Sequence, residues 1–266
     1  YLSGTQKVGV STIDTPQRRK IEIVPGGEKR MPLKGIRRSI FNSMRKSKDT
    51  AAHYTYFEEV NMGALRDLRE QLKPLMNERA IKVGYPALVM MCMIPALRKY
   101  PLLNSSYDEK TSEIVIKDYF NIGISVDTDD GLLVPVVKNV EQKSLWDISI
   151  EIMELANRAR IGKLTIDDVS GGTITMTSVG NIGGIMATPI IKSPEVAILG
   201  LTKSRLKPIV VEKNGGAEVG IGYMMNLSLS LDHRIVDGAV GARFMSELVR
   251  YIENPALLWA EDKIGI

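Results

Sequence analysis

Asn226-Leu-Ser-Leu-Ser-Leu-Asp-His-Arg-Ile-Val-Asp-Gly238 is the most informative stretch of this 266-residue chain. Leu227, Leu229 and Leu231 alternate strictly with Ser228 and Ser230, the period of two that predicts a half-buried strand. If the strand runs two residues further, His233 falls on the leucine side and Asp232 on the opposite side. Val240, Phe244, Leu248 and Ile252 then recur every four residues, which predicts a helix packing back on the sheet. A histidine at a strand end is more often a satisfied structural group than a catalytic one. The neighbouring residues decide the case.

Outward from this strand the chain reads as mixed α and β without a repeat. Residues 1 to 32, with Gly, Ser, Thr, Pro and the basic run Arg18-Arg-Lys20, read as a linker or N-terminal arm, and residues 33 to 266 as one catalytic domain. Helices are expected from Gly35 to about Lys48, along the stripe Leu65, Leu68, Leu72 and Leu75 with its end blurred by Pro74, over Ala87 to Lys99, and along Leu145 to Ala159. Strand formers mark His53 to Val60, Phe120 to Val126, Leu133 to Val137, Thr173 to Val179, Glu195 to Leu201 and Leu206 to Val211. Asp127 to Gly131 reads as a turn-rich connection.

Composition narrows the function. With 44% hydrophobic and 25% charged residues, the chain suits a globular domain, and no apolar run is long enough to span a bilayer, so no membrane is expected. Thirty-five basic against 31 acidic residues give +4, too balanced to argue for nucleic acid. The single cysteine, Cys92, lies in an apolar run and reads as a buried small side chain, so no intrachain disulfide can form and a reducing compartment fits. The first residues show neither an apolar secretory segment nor an Arg-rich leader, which points to the cytoplasm, with the mitochondrial matrix as the alternative. Two histidines and one cysteine, without His-Glu-x-x-His spacing, make no zinc site, and His53, among aromatics, reads as structural. Gly180-Asn-Ile-Gly-Gly184 lacks both dinucleotide and P-loop spacing. The 13 methionines scatter through apolar faces and read as core.

Asp232-His-Arg-Ile-Val-Asp-Gly238 resembles the active-site signature of the dihydrolipoamide acyltransferases of 2-oxo acid dehydrogenase complexes, and its shorter form that of chloramphenicol acetyltransferase-like enzymes. The likeness extends over about residues 30 to 260. It includes Ala52-His-Tyr-Thr-Tyr-Phe-Glu-Glu-Val60, Leu68-Arg-Glu-Gln-Leu-Lys73, Asn121-Ile-Gly-Ile-Ser-Val-Asp127, Gly131-Leu-Leu-Val-Pro135, Gly172-Thr-Ile-Thr-Met-Thr-Ser-Val-Gly180 and Pro194-Glu-Val-Ala-Ile198.

The resemblance implies an α/β two-layer sandwich with a mixed sheet and helices on one face. It also implies transfer of an acyl group from dihydrolipoyl sulfur to coenzyme A. Acyl transfer to a thiol needs a base for the thiol proton and a donor for the oxyanion. His233 answers the first need and Thr177 the second, with Ser178 beside it as the alternative hydroxyl. Moving a proton from a thiol near pKa 8.5 to an ordinary imidazole near 6.5 costs about 2 to 3 kcal/mol. Asp237 belongs to the signature; an architectural role is favoured over a hydrolase-like one, beside the bland reading of a helix cap. The resemblance further places Arg69 and Asp127 in the coenzyme A site with Ser178, although by sequence alone both are ordinary surface charges.

A homotrimer is implied, with the histidine of one subunit meeting the hydroxyl of its neighbour. Trimers would join into a cage partly through an apolar C-terminal tail, here Leu257-Leu-Trp259 and Ile264-Gly-Ile266. Partners would be a lipoyl domain, expected upstream because none is recognisable here, and the 2-oxo acid decarboxylase and dihydrolipoamide dehydrogenase components. Among donors, branched-chain or acetyl groups are favoured over succinyl, from the strand at residue 54 and Asn104-Ser-Ser-Tyr-Asp108. An antibiotic acetyltransferase and a non-catalytic scaffold are the competing readings.

Overall fold

The structure, a computed structural model, describes residues 27, 28, 30–180, 182–213 and 215–262. Residues 34 to 266 form one compact unit, to which the following applies. The arm expected over residues 1 to 32 and the tail Ile264 to Ile266 lie almost wholly outside the described residues.

In chain order the elements are α1 (Gly35–Thr50), β1 (His53–Asn61), α2 (Gly63–Arg79), α3 (Tyr85–Lys99), β2 (Ser105–Asp108), β3 (Glu113–Ile116), β4 (Ile122–Ile124), β5 (Val126–Thr128), β6 (Gly131–Leu133) and β7 (Val136–Val137). There follow α4 (Leu145–Arg160), α5 (Ile166–Val169), β8 (Ile174–Ser178), β9 (Ala197–Leu201), β10 (Arg205–Lys213), β11 (Gly216–Asp232), α6 (Gly238–Glu253) and α7 (Leu257–Asp262). The main sheet runs β1-β11-β9-β8-β4-β7, with β10 paired to the first half of β11. β8 is parallel to both β9 and β4, and the other pairs are antiparallel, so the sheet is mixed.

Leu227, Leu229 and Leu231 point into the core with Ile174, Met176, Leu199 and Leu201, and α2, α3, α4 and α6 supply the facing residues. Each fully buried large apolar side chain among them contributes about 1.5–3 kcal/mol. α3 is apolar nearly all round because both of its sides are covered; Cys92 is buried within it, and desolvation pushes its thiol up to about 12. Local signals place the helix starts: Ser144 and Asp147 form a capping box on α4, and Asp237 caps α6.

The other face of the sheet departs from the expected half-buried strand. Ser228, Ser230 and Asp232 are as buried as the leucines, because the crossover from β8 to β9 passes over them. Gly200, on that face, lies so close to Ser228 that an added Cβ would stand 2.4 Å from its Oγ, with Pro189 of the crossover at 3.6 Å. Thr175 Oγ1 donates to Glu195 Oε2 at 2.6 Å there. α1 also lies outside the main helical layer: Ser47 Oγ donates to the carbonyl of Ile191 in the crossover.

Three other expectations are corrected. α2 continues through Pro74, which is exposed, so that water can meet the carbonyl deprived of its partner. The two long strands expected around residue 130 break at Ser125 and Pro135. β4 and β7 stay in the main sheet while β5 and β6 form a separate hairpin, so Asp127 belongs to a strand rather than to the turn. Pro135 has no N–H for a continuous ladder and only accepts, from Ile124. Leu257 and Leu258 pack on this chain's own core, and Trp259 alone of that trio is exposed.

Burial pushes the Glu195 carboxyl up to about 7, against the opposing pull of Lys192, Thr175 and Lys117. An acid whose folded pKa exceeds its unfolded value of about 4.3 contributes stability fully present below that value and lost as pH rises through the folded pKa. Stability relative to Glu195→Gln is therefore expected to fall by up to about 3 kcal/mol between about pH 4 and pH 8. Urea unfolding of both proteins across that range tests this; parallel curves contradict it.

Candidate active site

β11 delivers its end residues to a tight turn. Asp232, the last residue of the strand, is buried, and its Oδ1 accepts from the N–H of Ala52 at 3.1 Å and of Arg234 at 3.1 Å. The Arg234 guanidinium closes on both carboxylate oxygens, at 3.0 Å from Nε and 2.6 Å from Nη2, and its far face lies over the Tyr107 ring. Burial alone drives this carboxyl upward, but the Arg234 side chain and the two N–H donors outweigh it and hold the group below the ordinary carboxylate range.

His233 follows outside the strand, so strand alternation does not govern it: it is exposed rather than set among the leucines. Its N–H donates to the Ala52 carbonyl at 2.8 Å. Its imidazole packs on the Tyr54 ring, centroids 4.5 Å apart and planes tilted by 52°. The Tyr54 hydroxyl donates to the backbone carbonyl of Asp237 at 2.9 Å. Burial, then the Asp237 charge, pushes this phenol up to about 12, so it remains a donor at neutral pH. Gly241 permits the arrangement, since an added Cβ would stand 2.7 Å from the Tyr54 hydroxyl and 2.6 Å from Leu231 Cδ1. The Asp237 carboxylate accepts from Val240 N–H at 2.9 Å and is a helix cap.

Thr177 occupies the end of β8, on the same face as Thr173 and Thr175. Its hydroxyl shares a 2.7 Å hydrogen bond with Ser125, between β4 and β5. Ser178 points to the opposite face, is exposed, and accepts a long bond from Gly180 N–H. Asp127 stands exposed on β5, two residues beyond Ser125. Arg69 lies elsewhere, on α2: its Nε donates to the Val83 carbonyl at 2.8 Å and its guanidinium stacks on Tyr85.

These residues form two clusters rather than one. Thr177 is level with Gly200, and Gly200 with Ser228, five residues short of His233 and two strands away. At about 3.3 Å per residue and about 4.8 Å per strand, Thr177 and His233 of one chain are roughly 19 Å apart. His53, the other histidine, is structural: Nε2 accepts from Ile191 N–H at 3.1 Å and Nδ1 faces the Ala51 carbonyl at 3.1 Å. Among the described residues no cluster of three or more His, Cys, Asp or Glu could hold a metal, and no helix is long and apolar enough to cross a membrane.

Tyr54, Ser125, Asp232 and Arg234 were not assigned functional roles from the sequence. Each lies within a quoted motif or beside His233, but only the ladder between β1 and β11, which sets His53 opposite Asp232, brings Tyr54 under the imidazole.

Known proteins share this architecture. Over 229 residues, 86% of the chain, it is 46% identical to the dihydrolipoyllysine-residue acetyltransferase component of the pyruvate dehydrogenase complex of Staphylococcus aureus, of which it covers 52%. The chain thus spans about half the length of the curated relatives it matches. Among solved structures, the dihydrolipoamide acetyltransferase of Azotobacter vinelandii superposes with a TM-score of 0.83 at 34% identity, covering 90% of this chain and 99% of that one. A truncated 2-oxoacid dehydrogenase multienzyme core from Thermoplasma acidophilum gives 0.74 at 42% identity, covering 86% and 99%. The family model of the 2-oxoacid dehydrogenases acyltransferase catalytic domain matches residues 25–260, and the chain belongs to that family.

Proposed function

We propose that this chain transfers an acyl group from S-acyl-dihydrolipoyl to coenzyme A, at a site that two copies build together. The observation that carries this reading is the separation of roughly 19 Å between His233 and Thr177 within one chain, too far for one reacting centre. Each cluster is exposed or half-exposed, so a neighbouring copy can meet it. A homotrimer closes such pairings with three equivalent interfaces. The ribbon of β10 and β11 leaves Leu206, Val210, Val219 and Ile221 between 65% and 80% exposed, apolar surface that supports association.

In the proposed reaction neutral His233 takes the coenzyme A thiol proton as the sulfur attacks the acyl carbonyl. In the hydroxyl pair either oxygen can donate; with Ser125 as the donor, the Thr177 proton is free for the tetrahedral oxyanion. Collapse breaks the bond to the dihydrolipoyl sulfur, to which His233 returns the proton. Tyr54 and the α6 cap at Asp237 hold the imidazole. A histidine and an asparagine investigated in the Azotobacter mechanism are four residues apart, the spacing of His233 and Asp237. Asp127 and Ser178, on the hydroxyl side, are assigned to coenzyme A, as is Arg69.

Acetyl is the favoured donor, since the Staphylococcus and Azotobacter relatives are named acetyltransferases; branched-chain groups remain the second reading. Residues 33–266 would be the catalytic domain and 1–32 its arm. Trimers would assemble into a cage, as one neighbour is the cubic core of a pyruvate dehydrogenase complex, serving a lipoyl domain, a 2-oxo acid decarboxylase and dihydrolipoamide dehydrogenase. The bacterial relatives support a cytoplasmic setting.

Transfer from acetyl-dihydrolipoamide to coenzyme A, assayed beside isobutyryl and succinyl donors, tests the activity. Thr177→Val is expected to lower kcat by roughly a hundredfold to a thousandfold, and His233→Ala by more. Co-assembled His233→Ala and Thr177→Val chains are expected to regain about a quarter of wild-type activity, because one interface in four pairs both intact groups. No recovery in mixed assemblies would mean that the site is not shared. Tyr54→Phe, which keeps the ring, is expected to stay within about fivefold of wild-type kcat, and Tyr54→Ala to lose roughly 10- to 100-fold.

A further inference from the structure

The crossover from β8 to β9 contains no helix among its described residues, so side-chain bonds must hold it over the sheet. In its second half, residues 189–195, Lys192 Nζ donates to the Val169 carbonyl at 3.1 Å, and two further ties run toward the proposed site. At the first, Ile191 is buried; its N–H donates to His53 Nε2 at 3.1 Å and its carbonyl accepts from Ser47 Oγ. An amide nitrogen only donates, so Nε2 must be unprotonated, and Nδ1 then carries the proton toward the Ala51 carbonyl 3.1 Å away. Only neutral imidazole satisfies both contacts.

At the second, the Glu195 side chain is 1% exposed and its Oε2 accepts from Thr175 Oγ1 at 2.6 Å. An added Cβ at Gly172 would stand 2.6 Å from Oε1, so the carboxyl fills the space that this glycine leaves open. The charged groups around the two ties are themselves partnered. Asp232, opposite His53 in the ladder, is held by Arg234, and Glu195 has Lys192 at 3.9 Å, with Lys117 near enough to pull on its charge.

Each tie ends on a cluster of the proposed site. His53 follows Ala52, whose carbonyl holds the N–H of His233 and whose own N–H bonds Asp232. Thr175 precedes Thr177 by two residues on the same strand face.

We propose that His53 and Glu195 are positioning residues that latch segment 189–195 and thereby hold the His233 turn and the Thr177 strand of one subunit in register. The inference rests on the shared-site reading, under which those two clusters serve two different active centres. The latch is thus a covalent and hydrogen-bonded link between neighbouring centres. It accounts for a partly buried histidine–amide bond and a buried carboxylate that the transfer chemistry does not use.

The test compares His53→Leu with His53→Gln, and Glu195→Ala with Glu195→Gln, in the assembled protein. Glutamine at 53 supplies an acceptor for Ile191 N–H, and at 195 one for Thr175. His53→Leu and Glu195→Ala are expected to lower kcat roughly 10- to 100-fold with KM for coenzyme A and acetyl-dihydrolipoamide within about threefold. Both glutamine variants are expected to recover to within about threefold of wild type. Hydrogen–deuterium exchange of a peptide covering 189–195 is expected to speed up in His53→Leu and not in His53→Gln. Should His53→Leu turn over like wild type, or His53→Gln do no better than His53→Leu in an intact assembly, the latch is wrong. If co-assembled His233→Ala and Thr177→Val chains regain no activity, the shared-site reading beneath it fails, so the two failures are told apart.

Discussion

A carboxylate removed from water at the end of a strand has to be fully satisfied, and Asp232 organises the surrounding turn by that requirement. It receives two backbone N–H groups and both prongs of a guanidinium fork, one donor from Ala52 just before β1, the others from the turn itself. Removing one partner from such a group costs more than the group contributes, because the charge stays buried. The chain therefore has one way to leave β11. That exit path presents His233 to solvent, seats its ring on Tyr54 and begins α6 at Asp237.

The sheet beneath is built to be covered on both faces by different chemistry. Its helical side is buried leucine, isoleucine and methionine, while its other side carries threonine, serine and glycine under a crossover without a helix among its described residues. Small residues suit the second face because the crossover passes close overhead, as at Gly200, where an added Cβ would stand 3.6 Å from Pro189. The same face carries Thr177 at its far end. On this face Thr175 bonds Glu195 of the crossover and Thr177, two residues on, bonds Ser125, so the proposed oxyanion donor continues the polar row.

Under the proposed shared site, distance along the sheet makes association part of the chemistry rather than an accessory to it. Two groups roughly 19 Å apart on a rigid ladder are not brought together by side-chain rotation. A second copy can bring them together, and the exposed apolar ribbon supplies surface for it. In such an arrangement each subunit is a spacer between two centres, and whatever stiffens the spacer stiffens both.

Local pattern carried much of this. The alternation of Leu227 to Leu231, the four-residue stripe of α6, the capping signals at Ser144 and Asp237, and the motif around His233 are short-range features, set by backbone period and by neighbours in sequence. They determine that the chain is mixed α and β, while the resemblance of its motifs to a known family singles out His233 and Thr177. Other properties belong to pairings distant in sequence: the burial of Ser228 and Ser230, the splitting of the strands near Pro135, the Tyr54 seat, the Ser125 partner of Thr177 and the separation of the two clusters. No local rule reaches these, because burial and distance depend on which strand lies beside which, and that is decided only when the whole sheet closes on its core.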